Sequence, residues 1–153
     1  MSEPGSEPPS GWAYCRADRV RFADLDPRGH LNNVAFLQFF EAARIAYLAS
    51  INPENDASEP TSGDLILAEQ TITYRSPSAL EDEIRTSVRP EDVKRSSFRL
   101  AFAMHNLEQD RLTAEGHGIY VGYDYQAARA CPLPDGLARA LREAEPEPAP
   151  PED

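Results

Sequence analysis

Residues 22–48 read FADLDPRGHLNNVAFLQFFEAARIAYL, and their order decides the fold. Asp24 and Asp26 come first, then a Pro27-Arg28-Gly29 break that turns the chain. His30 follows, and Asn32 or Asn33 can cap a helix, because an Asn side chain accepts a hydrogen bond from first-turn amides. Val34 to Leu48 holds no Gly or Pro and is mostly apolar, with Gln38, Glu41 and Arg44 as a polar stripe. A helix with so little polar surface is expected to be buried nearly all round, wrapped by a sheet. The sequence therefore sets a carboxylate beside the positive end of a core helix.

Downstream the pattern is β. Leu65 to Arg75 alternates and ends at Ser76-Pro77; Ile84 to Arg89 is shorter, with Pro90 expected to close it. Ser96 to Leu107 puts Phe98, Leu100, Phe102 and Met104 on one face. Glu108-Gln109-Asp110 is a turn, and Arg111 to Tyr125 runs back, with Gly116, Gly118 and Gly122 leaving room for close approach. Arg19 to Phe22 reads as a first strand, and Leu137 to Leu141 as a short helix. One strand, one buried helix and four strands predict an α+β fold: an antiparallel five-stranded sheet around one long central helix.

The chain has 153 residues and a net charge of −11. That length makes one domain with one core. Residues 1–11 and 143–153 are Pro-rich, carry acids without Lys or Arg, and are expected to be disordered tails flanking a domain at 12–142. The tails hold seven of the acids, which leaves −4 for the domain. An acidic chain has no generic attraction for nucleic acid, so none is expected as a partner. No apolar stretch is read as long enough to cross a bilayer, and no membrane association is expected. Residues 1–11 lack the basic and apolar regions of a secretory signal, and Cys15 and Cys131 form no CxxC pair. A cytoplasmic protein with two reduced thiols is the expectation. Residues 52–64 read as a long loop, a candidate flap.

The string Asp24-Leu25-Asp26-Pro27-Arg28-Gly29, with His30 and Asn32-Asn33 after it, resembles the active-site segment of hotdog-fold thioesterases. It is similar to the 4-hydroxybenzoyl-CoA thioesterase family of acyl-CoA hydrolases. His30-Leu31-Asn32-Asn33 also resembles the plant acyl-carrier-protein thioesterases, and Phe40-Glu41-Ala42-Ala43-Arg44 and Arg75-Ser76-Pro77 match the elements that follow. The resemblance covers residues 16–125 in element order and residues 20–48 at motif level. It implies a homodimer or homotetramer with the site at the subunit interface, an acyl-CoA substrate, and no metal or redox cofactor.

Thioester hydrolysis needs a nucleophile or an activated water, and donors for the developing oxyanion. By resemblance Asp26 is the catalytic carboxylate, attacking directly or acting as base towards water, and the Asn33 amide polarises the carbonyl. Without the motif, Asp26 would be read as a turn residue or cap. Asp24, two residues away on extended chain, would share its face, and the two carboxylates would then couple, one raising the other's pKa. His30 is the candidate catalytic helper, since a His at this spacing belongs to the catalytic set of the carrier-protein enzymes, though many bacterial CoA hydrolases manage without it; it would bond Asp26 or the attacking water, or else cap the helix. Those enzymes have an Asn where this chain has Arg28.

Glu69 and Gln70 lie on the strand that in relatives reaches the partner's site; the plain alternative is a wet strand face. Arg75, Arg89, Lys94 and Arg95 form the nearest approach to a basic cluster for CoA phosphates, or are simply a solvated strand end. His105 and His117 read as rim residues. A zinc site with His30 has neither motif nor spacing behind it. Tyr120, Tyr123 and Tyr125 read as sheet packing. The alternatives to an acyl-CoA hydrolase are a carrier-protein thioesterase, an enoyl-thioester hydratase on the same fold, or a non-catalytic module that binds acyl thioesters.

Overall fold

The computed structural model describes residues 7–51 and 65–146. The elements run β1 (Tyr14–Arg19), a 3-10 turn (Phe22–Asp24), α1 (Asn33–Ile51), β2 (Leu65–Tyr74), β3 (Glu83–Glu91), β4 (Ser97–Asn106), β5 (Arg111–Asp124), β6 (Arg129–Ala130) and α2 (Asp135–Ala144). The sheet order is β1-β3-β4-β5-β2, every pair antiparallel, with the short β6 added to β5. A long helix lies against this sheet: the hotdog arrangement, as the resemblance implies.

The period-two pattern of β4 supplies the floor of the core. Phe98, Leu100, Phe102 and Met104 are all buried, and the same face takes Ile84 and Val88 from β3 and Tyr120 from β5. Upon it α1 lays Phe36, Phe40, Ala43 and Tyr47. The Phe40 and Phe102 rings stack with centroids 4.2 Å apart. Burying each such side chain contributes about 1.5–3 kcal/mol. α2 closes the core with Leu137, Ala138 and Leu141, its Asp135 and Arg142 matched in sign to the ends of its dipole.

Several expectations change. The first strand lies earlier than Arg19 to Phe22, because Arg21 and Asp24 close a capping box that turns the chain after Arg19. Pro90 continues β3 instead of ending it. β1 stops opposite Val88, so Pro90 borders only β4 and its missing N–H costs no second ladder. The helix is not buried all round: Val34, Gln38, Glu41 and Ile45 form an open stripe, with Val34 64% and Ile45 45% exposed. Arg44 stays paired with Glu41 of the polar stripe at 3.3 Å but is itself largely buried, its guanidinium 4.9 Å from the centre of the Tyr120 ring.

At 19 residues and mean hydropathy 1.4, α1 also meets the length and composition of a membrane span, contrary to the reading of the sequence. Its place here is against the sheet. The expected tails fall partly outside the described residues, and the 52–64 loop wholly so. Within them, residues 7–11 are held by Trp12 N–H on the Pro9 carbonyl and Arg89 on the Gly11 carbonyl. α2 runs to Ala144, past the expected boundary at 142, and Glu145 accepts the Val93 N–H at 2.8 Å. At Gly122 a Cβ would meet the Cys131 carbonyl oxygen at 2.3 Å, so the close approach expected there is made by backbone.

Candidate active site

The chain leaves the 3-10 turn at Leu25 and makes a narrow loop to α1. Leu25 and Leu31 bridge across its neck, and the Asp26 N–H donates to the His30 carbonyl at 2.7 Å. Inside the loop Asp26 bonds back to its own turn: Oδ1 accepts the Arg28 N–H at 2.8 Å and the His30 N–H at 3.1 Å. Gly29, at φ +81°, takes the left-handed step the turn needs. Oδ2 has no hydrogen bond among the described residues. The His30 N–H, then the Arg28 N–H, hold the carboxyl below the usual carboxylate range, and the charges of His30 and Arg28 act in the same direction. Asp26 is therefore ionised near neutrality.

Asn32 is the cap: its Oδ1 accepts the Ala35 N–H at 2.8 Å, while its own N–H goes to the Asp24 carbonyl. Asn33 is then the first helical residue, and its N–H points from the helix end without an intrahelical acceptor. Asp26, Asn32, Asn33 and Val34 line one cleft of about 360 Å³. An ionised carboxylate and an orphan amide at the positive end of a 19-residue helix thus face the same space. Val34 was not anticipated; an apolar residue at the second helical position, beside the caps, is the signal that marks it.

The two aspartates do not couple. Asp24 is buried, and burial pushes its pKa up. The bonds from the Arg21 guanidinium and backbone N–H (2.9–3.2 Å) and the Arg21 charge outweigh that and bring it below the usual range. Asp24 folds the turn; Asp26 faces the cleft. His30 contributes its backbone to Asp26, while its exposed ring makes no hydrogen bond among the described residues.

Glu69 and Gln70, being consecutive on β2, point to opposite faces. Gln70 donates to the His117 carbonyl at 3.3 Å, and Glu69 lies 3.8 Å from the His117 ring. Neither lines the cleft of its own chain. The four basic residues are not a cluster. Arg75 sits at the Asp26 end of the sheet, its N–H on the Thr113 carbonyl, whereas Lys94 and Arg95 lie on the β3–β4 turn at the other end. Arg75 pairs with Glu115, Arg89 with Glu91 and Lys94 with Asp92. His30, His105 and His117 do not converge, and no group of three or more metal-ligating side chains occurs among the described residues. Of the tyrosines, Tyr120 stacks on Phe98 in the core, and Tyr125 bonds the Leu65 carbonyl at 2.7 Å.

Comparison with known proteins decides the family. The model of the Thioesterase-like superfamily matches residues 20–141. The chain belongs to that superfamily. Thioester hydrolysis is accordingly the reaction class of this hotdog protein. It is similar to a solved thioesterase from Thermus thermophilus, crystallised with coenzyme A and Zn: 32% identity, 92% of this chain and 99% of that one covered, TM-score 0.78. A 1,4-dihydroxy-2-naphthoyl-CoA thioesterase from Synechocystis shares the fold at 20% identity and TM-score 0.75, over 85% of this chain and 96% of its own. An uncharacterized Bacillus subtilis protein, YsmA, is 29% identical over 105 residues, 69% of each chain.

Proposed function

We propose that this thioesterase hydrolyses an acyl-CoA thioester, with Asp26 as the catalytic carboxylate and the Asn33 amide as the oxyanion donor. The observation that carries the reading is the shared cleft: an ionised Asp26 and the start of α1, where the Asn32 cap leaves the Asn33 N–H without an intrahelical acceptor, open onto one space. The thioester carbonyl oxygen lies toward the Asn33 N–H, where charge developing on it is stabilised by a donor that needs no reorganisation. Asp26 Oδ2 then attacks the carbonyl carbon and expels CoA thiolate, the resulting anhydride being hydrolysed by water. Alternatively it takes a proton from the water that attacks. Both routes use the same oxygen, and its low pKa keeps it unprotonated at neutral pH.

CoA as the leaving group is supported by the Thermus relative, which binds coenzyme A. A homodimer is part of the proposal. β2 is an edge strand of ten residues with Ile66, Leu67 and Tyr74 exposed, a template for pairing with a second copy. Antiparallel pairing about a two-fold axis would set the partner's β3–β4 turn, with its own Lys94 and Arg95, toward the Asp26 end of the first protomer. Two basic groups separated within one chain would thereby serve one bound CoA. Gln70, on the helix-side face of this edge, would lie at the junction.

The test is thiol release from a panel of acyl-CoAs by wild type and Asp26→Ala. Turnover by wild type and a loss of about 100-fold or more in a folded variant are expected, the scale of removing a catalytic base. Equal activity of the two would refute the assignment. Release only from a carrier-protein thioester would move the leaving group, not the chemistry.

A further inference from the structure

Beneath the Asp26 loop, where the sheet would be expected to stay apolar, lies a knot of buried polar side chains. Asn106, Thr113 and Ser78 are each 1% exposed or less. The Asn106 amide donates to Ser78 Oγ at 3.0 Å and to Asp82 Oδ2 at 2.9 Å, while its oxygen accepts the Glu108 and Gln109 N–H groups, both at 3.0 Å. This fills every hydrogen-bonding place on the amide and fixes its orientation. Flipped, it would set oxygen against carboxylate and N–H against N–H.

Proton counting gives the rest of the chain a direction. Thr113 has one hydroxyl hydrogen, and it goes to the Ser76 carbonyl. The 3.0 Å bond between Ser78 and Thr113 must therefore be donated by Ser78. The run is Asn106 to Ser78 to Thr113 to Ser76, with every donor hydrogen along it used. Asp82 Oδ2 also takes the Ala79 N–H at 2.9 Å, so the whole turn at residues 76–82 is held from below.

That turn in turn holds the site. The Leu31 N–H donates to the Ser78 carbonyl at 2.8 Å, and His30 bridges to Ala79. Among the described residues the Leu31 bond, within that bridge, is the hydrogen bond that ties residues 25–31 to a distant part of the chain. Leu31 stands between Asp26 and Asn33 in the chain, and His30 is the residue whose N–H and C=O both bond Asp26. Shifting the 78–79 backbone therefore shifts the carboxylate relative to the helix amide.

We propose that Asn106, Ser78 and Thr113 are positioning residues for the reaction: a buried clasp that sets the distance between Asp26 and the Asn33 amide. The clasp rests on the hydrolase reading given above. It touches no substrate, so its loss is felt in turnover and not in binding; a misplacement near 1 Å is enough to cost about 100-fold.

Ser78→Ala and Thr113→Val each break one link, and Thr113→Ser restores the hydroxyl. For the acyl-CoA that wild type turns over best, kcat is expected to fall about 10–100-fold in the first two, with KM within about threefold. Thr113→Ser should return kcat to within about twofold. Amide hydrogen exchange supplies a readout independent of activity. Leu31 and His30 should exchange faster in the broken variants, while amides of β1 stay as in wild type. Should both variants fail to fold, Asp82→Asn, half-buried at the margin of the clasp, removes the charge that Asn106 and Ala79 bond and takes their place in both measurements.

Unchanged kcat together with unchanged exchange at residues 30–31 in a folded variant overturns the proposal. So does a loss confined to KM. Faster exchange at Leu31 and His30 in a protein inert toward every thioester would count for the clasp and against the hydrolase reading, so the two fail separately.

Discussion

Replacing Asp24 by Asn separates what folds the site from what reacts in it. Asp24 accepts three bonds from Arg21 and has a nearly buried carboxylate. Asn keeps the size and one carbonyl acceptor but loses the charge and turns an N–H₂ toward a guanidinium. A hydrogen bond to a charged group contributes about 1.5–3 kcal/mol and a neutral one about 0.5–1.5. Because the Arg21 side chain is 72% exposed, solvent screens most of the difference. The net cost is about 1 kcal/mol, which for a domain of this size lowers Tm by about 2–4 °C.

The sign with pH follows from linkage. The folded pKa of Asp24 lies below its unfolded value, so its stabilisation is present above the unfolded pKa and is lost as pH falls through the folded one. The difference between wild type and Asp24→Asn should therefore be full at pH 6–7, shrink below about pH 4, and vanish in stronger acid. Thermal unfolding by circular dichroism across pH 2.5–7 measures it. The acid limb of kcat/KM should not move, because Asp24 and Asp26 do not share a proton. A shift of that limb, or a stability gap that does not shrink between pH 5 and pH 2.5, would refute the reasoning.

Asp26 is held down chiefly by the His30 N–H, so the acid limb of kcat/KM in wild type should lie below the ordinary Asp pKa; a pH–rate profile with its limb near 5 or above would contradict this. Asn32→Ala removes the cap on Ala35 and should cost about 1 kcal/mol, seen as a lower urea midpoint, with kcat falling too because the same turn presents the Asn33 amide. Phe40→Ala empties a site 1% exposed and stacked on Phe102, and should cost about 3–5 kcal/mol in chemical denaturation.

Much of the fold and the site is legible in the chain alone because the informative residues are local. Asp26, Pro27, Gly29 and the two Asn residues specify a turn and a helix start by their own backbone preferences, and the strict alternation of Phe98 to Met104 fixes which face of β4 is inside. What escaped is mostly non-local, the start of the chain being the exception. Arg19 to Phe22 alternates as a strand does, but the Arg21–Asp24 pair wins that stretch for a turn. Arg44 looks polar on a helical wheel, and only the ring of Tyr120, far along the chain, turns it inward. The basic residues looked clustered because 89, 94 and 95 are close in sequence, whereas sheet order sends Arg75 to the other end. Ser78, Asn106 and Thr113 are ordinary strand and turn residues until the sheet stacks them.

The order of elements has a consequence for synthesis. α1 is complete at Ile51, but the strands that cover its apolar face, β3 to β5, end only at Asp124. Translation at about 5–20 residues per second leaves the helix without its sheet for several seconds. Throughout that interval the nascent chain presents a segment with the length and hydropathy of a membrane span. The residues that place the Asp26 carboxylate are thus made early and sheltered late, and the pace of the β3–β5 meander sets how long the chain must be kept from other apolar surfaces.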